Sequence, residues 1–190
     1  MDDGAVVLTR HKLDVDDYHR MADAGIIGWK ERIELIDGEL IDMAPIGQDH
    51  VATVNGFTRA LVIACGDRGI VSVQNSVRLN RHNEPQPDFA VFRPRADNYR
   101  TGELPQPSDV LLLVEVSDSS IRFDRKVKLP LYARAGIAEF WIADLGQRIL
   151  DVYQEPVDGA YTVSLRYGPG DRVALAQAPD IIVPLDRVFD

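Results

Sequence analysis

Apolar and polar positions change period several times along the chain, and each change marks an element. Leu13-Asp14-Val15-Asp16-Asp17-Tyr18 predicts a helix with Asp14 as N-cap, acidic residues in its first turn and Gly25 at its end. Residues 32–43 (RIELIDGELIDM) alternate with period two on both sides of Asp37-Gly38, a two-residue hairpin turn. That turn sets Ile36 opposite Glu39 and Glu34 opposite Ile41, so these four side chains share one face. Two carboxylates on a half-apolar face mark either a solvated surface or part of a site.

Residues 50–66 (HVATVNGFTRALVIACG) have apolar positions at Val51, Val54, Phe57, Leu61 and Ala64, the spacing of a helix. Residues 70–79 alternate as a strand, and the proline-rich loop RHNEPQPD leads into a second strand at 88–92. After the polar connection RPRADNYRTGELPQPSD, residues 111–117 form a near-continuous apolar run, the pattern of a strand buried on both faces. A helix is predicted over 123–135, stopped by Gly136, with Pro130 bending it or marking its first full turn. Residues 139–144 (EFWIAD) make a fourth strand. The tail has hairpin grammar, with Asp158-Gly159 at a turn and Gly168-Pro169-Gly170-Asp171 closing it. The expected fold is α/β: a mixed β-sheet flanked by helices, with an N-terminal helix plus hairpin and a C-terminal β-hairpin extension. Residues 1–190 are read as one domain with its core at about 50–145.

Composition narrows the functional classes. A hydrophobic share of 45% leaves enough apolar surface for a core. No stretch reaches the ~20 apolar residues of a membrane span. The opening MDDGAVVLTRHKLDVDDYH has no basic leader followed by an apolar segment, so no secretory signal is expected and the cytoplasm is the default compartment. The single cysteine, Cys65, lies in ALVIAC and reads as a small core residue. The net charge of −9 has the wrong sign for coating nucleic acid, though a local basic cleft stays compatible with it.

Against this background Glu115 stands out, a carboxylate inside the apolar run that starts at Leu111, followed at short range by Arg125, Lys126 and Lys128. Burying it unpaired would cost several kcal/mol. Asp88 opens the second strand, so antiparallel pairing with the third would bring Asp88 beside Glu115. Two adjacent carboxylates need a shared proton or cation, and Mg²⁺ is a hard ion suited to them. The competing explanation is a structural ion pair in which Lys126 or Lys128 merely neutralises Glu115.

Taken in order, the Leu13-x-x-x-x-Tyr18 helix, ELIDGEL, the helix after His50, PQPDFAVF, LLLVEVSDSS, Asp124…Lys128…Tyr132 and GIAEFWIADL resemble the Uma2 family of endonucleases over nearly the whole chain. That family lies within the restriction-endonuclease-like PD-(D/E)xK superfamily. The resemblance implies that Asp88 and Glu115 are metal ligands, helped by the backbone carbonyl of Val116. The superfamily's lysine would stand at Ser117; the family resemblance moves it to the next helix. Lys128 is preferred there to Lys126 because it lies four residues from both Asp124 and Tyr132. Glu34 and Glu39 match acidic hairpin positions of the family, either of which could complete a second metal position. His50 matches its helix-start histidine, for which a purely local hydrogen bond is the alternative.

The implied activity is Mg²⁺- or Mn²⁺-dependent hydrolysis of DNA phosphodiester bonds, with Lys128 orienting a water or offsetting charge. Dimers are frequent in that superfamily, so a homodimer is one expected assembly. The alternatives are a non-cleaving nucleic-acid or protein-binding module, and an interaction protein that pairs its exposed hairpin edge with a second copy. Arg93, Arg95 and Arg100 read as an ordinary solvated loop or as phosphate contacts. Trp141 reads as core.

Overall fold

The computed structural model describes residues 9–28, 30–101, 104–186 and 188–189. Residues 1–8, where the leader reading begins, and 102–103 of the polar connection lie outside the described residues. The chain starts with α1 (Val15–Asp23), the strands β1 (Ile33–Ile36) and β2 (Glu39–Asp42), and α2 (Gln48–Cys65). Next come β3 (Ile70–Val73), β4 (Phe89–Phe92) and β5 (Val110–Ser117). A helical passage follows: α3 (Ile121–Phe123), a π-helical turn (Asp124–Lys128) and α4 (Leu129–Arg134). The remaining strands are β6 (Glu139–Asp144), β7 (Ile149–Val157), β8 (Ala160–Tyr167), β9 (Arg172–Leu175) and β10 (Ala178–Pro184).

The main sheet has the order β3-β4-β5-β6-β7-β8. Its neighbours are antiparallel except β5 and β6, whose parallel pairing is bridged by the helical passage. Side-chain alternation splits the interior in two. Phe89, Val91, Leu112, Val114, Val116, Trp141 and Ala143 face α2 and the β9–β10 hairpin. Ala90, Phe92, Leu113, Phe140 and Ile142 face Leu131, Tyr132 and Ile137 from the α4 side, with Ile36 of β1 joining them. Glu115 falls on this second face. Among the described residues no helix is long and apolar enough to cross a membrane.

Several sequence expectations are met closely. Asp14 caps α1 in a reciprocal capping box with Asp17. Asp37 and Gly38 both have positive φ (47° and 74°), and the β1–β2 register pairs Ile36 with Glu39 and Glu34 with Ile41. Cys65 and Trp141 are fully buried, and burial raises the Cys65 thiol pKa. The tail hairpin expected around Asp158-Gly159 forms as β7–β8 and extends the main sheet, and a further antiparallel hairpin, β9–β10, follows it.

Other elements depart from the pattern for identifiable reasons. α2 starts at Gln48, placing His50 inside its first turn, and Val51 stays exposed there. The strand read over 70–79 ends at Val73, because Gln74 takes a left-handed φ of 52°. The chain then continues as an irregular ribbon, with Val77 N–H donating to the Pro85 carbonyl and Leu79 N–H to that of Asn83. Pro130 sits in the first turn of α4, and the π turn precedes it. Proline lacks an N–H and its ring crowds the carbonyl four residues back, so widening that turn relieves the conflict.

The hairpin turn tolerates no side chain at Gly38. A β-carbon there would stand 2.8 Å from Lys12 Cβ and 3.0 Å from the Leu13 carbonyl, at a φ that L-residues avoid. Gly38→Ala is expected to destabilise the protein by about 1–3 kcal/mol, read as a lowered urea midpoint at constant m-value.

Candidate active site

The site forms where β4 begins and β5 ends. Phe89 pairs with Val114, so Asp88, one residue earlier, lies beside Glu115. Asp88 Oδ2 accepts the Val116 N–H at 2.8 Å. Its Oδ1 is 3.1 Å from His50 Nε2 and accepts the Gln74 amide, also at 3.1 Å. Glu115 Oε1 accepts Lys128 Nζ and the Tyr132 hydroxyl, each at 2.8 Å. Lys128 Nζ also donates to Glu34 Oε1 at 2.9 Å, and the same oxygen takes the Gln86 N–H at 2.6 Å. Ser117 and Ser120 hydroxyls both donate to Asp124 Oδ2 at 2.7 Å.

The local folding explains these directions. β5 alternates, so Glu115 and Ser117 project toward the helical passage while Val114 and Val116 enter the α2 core. The π turn carries Asp124 and Lys128 on its inner side, and both are buried together with Tyr132. β1 brings Glu34 to Lys128 from the hairpin, and the first turn of α2 brings His50 over the end of the sheet.

Exposure of Asp88, Glu115 and Lys128 is only 5%, 4% and 3%, so charge balance dominates their behaviour. Burial pushes the Glu115 carboxyl well above the usual range; Lys128 opposes this, while the charges of Asp124, Asp88 and Glu34 reinforce it. Burial would lower the Lys128 pKa, but Glu115, Glu34 and Asp124 outweigh it and hold the ammonium charged. Burial would raise the Asp88 pKa, yet His50, the Val116 N–H and the Gln74 amide together lower it. The hydrogen bond to Asp88 raises the His50 pKa, and a contact with the Val116 backbone adds to it. Tyr132 is raised first by burial and then by Glu115. Four carboxylates thus meet one lysine and one histidine, a surplus of negative charge that a proton or an external cation would relieve.

A cavity of about 320 Å³ opens onto Glu34, Asp88, Glu115, Asp124, His50 and Lys128. Its rim is the β2–α2 loop on one side and the segment from Asp118 to Phe123 on the other, with Arg32 as a further cation in its wall.

Most candidate residues therefore converge: Asp88, Glu115, Val116, Lys128, Glu34, His50, Ser117, Asp124 and Tyr132. Glu39 does not. It shares the hairpin face with Glu34 but stands at the turn end, paired at the surface with Lys12 at 3.2 Å and Arg10 at 3.6 Å. Lys126 is exposed, turned away on the other side of the π turn from Lys128. His50 bonds Asp88, 38 residues away at the entry to β4, which goes beyond a purely local helix-start contact. Arg93, Arg95 and Arg100 follow the far end of β4, where Arg93 binds the Ser108 carbonyl and Gln177 and Arg95 holds Asp97 and Thr101. Two glutamines were not singled out in the sequence. Gln86 Nε2 donates to the Gln74 carbonyl at 2.5 Å, so Glu34, Gln86, Gln74 and Asp88 form one polar chain. The available signal was Gln86 within PQPD and the faltering of alternation at Gln74-Asn75.

A family model described as "Putative restriction endonuclease", Uma2, matches residues 15–185. The chain belongs to the Uma2 family. A crystal structure described as a putative nuclease belonging to DUF820, from Anabaena variabilis, is similar with a TM-score of 0.69 and 14% identity, covering 93% of this chain and 97% of that one. At that identity the likeness speaks for the fold alone, a mixed sheet flanked by helices. No curated protein matches the chain. In this Uma2 protein the strand position two residues after Glu115 is taken by Ser117, whose hydroxyl holds Asp124, while the amine that reaches Glu115 comes from Lys128. Among the described residues no three His, Cys, Asp or Glu side chains are grouped so as to hold a metal ion.

Proposed function

We propose that the protein is a metal-dependent endonuclease that hydrolyses phosphodiester bonds of DNA. One observation carries the reading: Asp88 and Glu115 lie side by side at a cavity, with the Lys128 ammonium 2.8 Å from Glu115. The donor set is all oxygen, two carboxylates and the Val116 carbonyl, and it sits in a surplus of negative charge. Such a sparse set suits Mg²⁺ or Mn²⁺, which is often bound through one or two carboxylates and keeps several waters, and it does not require a third acidic ligand. When bound, the ion supplies a more acidic water and stabilises charge on phosphate oxygens.

The protein groups have separable tasks. An ammonium has three donors, and Lys128 spends two on Glu34 and Glu115, leaving one for a water or a phosphate oxygen. Tyr132 fixes the Glu115 carboxylate from the side. His50 and Gln74 orient Asp88, and Gln86 ties Gln74 to Glu34. Gln74→Ala is expected to weaken Mn²⁺ binding about tenfold in calorimetry while costing about 1 kcal/mol of stability, because it orients a ligand without touching the ion.

Cleavage of plasmid and linear DNA by the purified protein, with Mg²⁺ or Mn²⁺ and with EDTA, tests the reading. Cutting that requires the ion supports it. A non-cleaving, nuclease-like binding module is the second reading, favoured by Ser117 in place of the strand lysine; nucleic-acid binding with no cleavage and no saturable Mn²⁺ heat would select it.

A further inference from the structure

The shape and charge of the cavity bear on which DNA the site can take. The reacting side chains lie at its floor. The two rim segments approach each other at Gly47 and Asp118: a β-carbon on Gly47 would stand 3.6 Å from Asp118 Oδ2. At about 320 Å³ the cavity is at the small end of ligand pockets, sized for about one nucleotide rather than a stretch of helix.

Charge points the same way. Six carboxylates line the cavity against Arg32, His50 and Lys128. Asp42 and Asp118 are exposed on its walls. A duplex carries one phosphate charge per ~1.7 Å of axis, so docking it here would bring flanking phosphates against those acids. Among the lining residues only Arg32, Lys128 and a protonated His50 can offset that repulsion. An unpaired nucleotide brings far fewer phosphates. Its base can also lie on the apolar rim, where Ile46 is 40% exposed, Pro45 adjoins it, and Phe123 faces the cavity from the other side. Single-strand sites gain sequence-tolerant affinity by combining positive charge along the backbone with stacking, and here Arg32 and Lys128 supply the first and Phe123 the second.

We propose that the substrate is an unpaired strand, at a free end, a flap or a gap, threaded to the floor of the cavity with its base against Pro45, Ile46 and Phe123. This rests on the nuclease reading above and specifies its substrate class.

The test compares three substrates of one sequence, each with Mn²⁺ and with Mg²⁺: a single strand, a duplex bearing a flap, and a duplex closed by hairpin caps at both ends. The expected result is cleavage of the single strand, and of the flap near its junction, at least about tenfold faster than the duplex region of the closed form. Ile46→Asp, at an exposed rim position, is expected to raise KM for the single strand about tenfold with little change in kcat. Equal rates on the closed duplex, or no effect of Ile46→Asp on KM, overturn the proposal and leave the nuclease reading standing. No cleavage of any of the three with either ion removes the nuclease reading and this proposal with it.

Discussion

Asp88→Asn is expected to lower metal-dependent DNA cleavage by at least about a hundredfold to a thousandfold while the protein stays folded. Asparagine keeps the shape and its one oxygen can still accept the Val116 N–H, so the β4–β5 junction is preserved; what disappears is the charge, together with the second acceptor that the Gln74 amide uses. The same substitution has a reading that needs no metal. In the wild type the Asp88 pKa is held below its ordinary 3.8 and the His50 pKa above its ordinary 6.5. The carboxylate part of that stabilisation is present above pH 3.8 and is lost as pH falls through the depressed Asp88 value. The imidazole part is complete below pH 6.5 and is lost as pH rises through the elevated His50 value. The pair therefore stabilises the fold most between those two limits. In Asp88→Asn the His50 titration, followed by NMR, moves back down toward its ordinary range. An unchanged His50 titration would mean that the pair is absent in solution.

Lys128→Met is expected to cost about 3–5 kcal/mol of folding stability, a large part of the ~5–15 kcal/mol that holds a domain together. The loss of packing is small because methionine fills most of the stem's volume. The penalty comes from Glu115 and Glu34, which the change leaves buried without their shared cation. Adding Glu115→Gln removes one of those charges, so the double variant should regain a substantial part of the lost stability in urea unfolding. Cleavage should stay at background in both, since stability is repaired without restoring an ammonium. A single variant that loses less than about 1 kcal/mol would contradict the buried triad.

The three central groups were legible because adjacency rules connect them. Asp88 opens a strand and Glu115 lies near the end of the next long apolar one, and antiparallel pairing makes neighbours of such positions. Lys128 could be chosen over Lys126 because helical spacing sets it with Asp124 and Tyr132, and the π turn keeps all three buried. Glu39 was harder to place. Period-two alternation tells which face a side chain takes, but not how far along the hairpin that face remains covered, and Glu39 lies past the cover. Gln74 was hidden for another reason. Its link to Asp88 depends on a left-handed backbone in a non-glycine residue, a conformation the surrounding fold imposes and the local sequence only hints at. The β9–β10 hairpin packs on α2 through four-residue and seven-residue strands, and the shorter gave too little alternation to announce itself.

One divalent ion is expected between the carboxylates that close the β4–β5 junction. Anomalous diffraction from crystals soaked in Mn²⁺ measures this directly. The expected result is a peak within bonding distance of Asp88 and Glu115, missing in Asp88→Asn crystals treated alike. A soaked crystal with that place empty, or with manganese only at surface carboxylates such as Asp42, would contradict it.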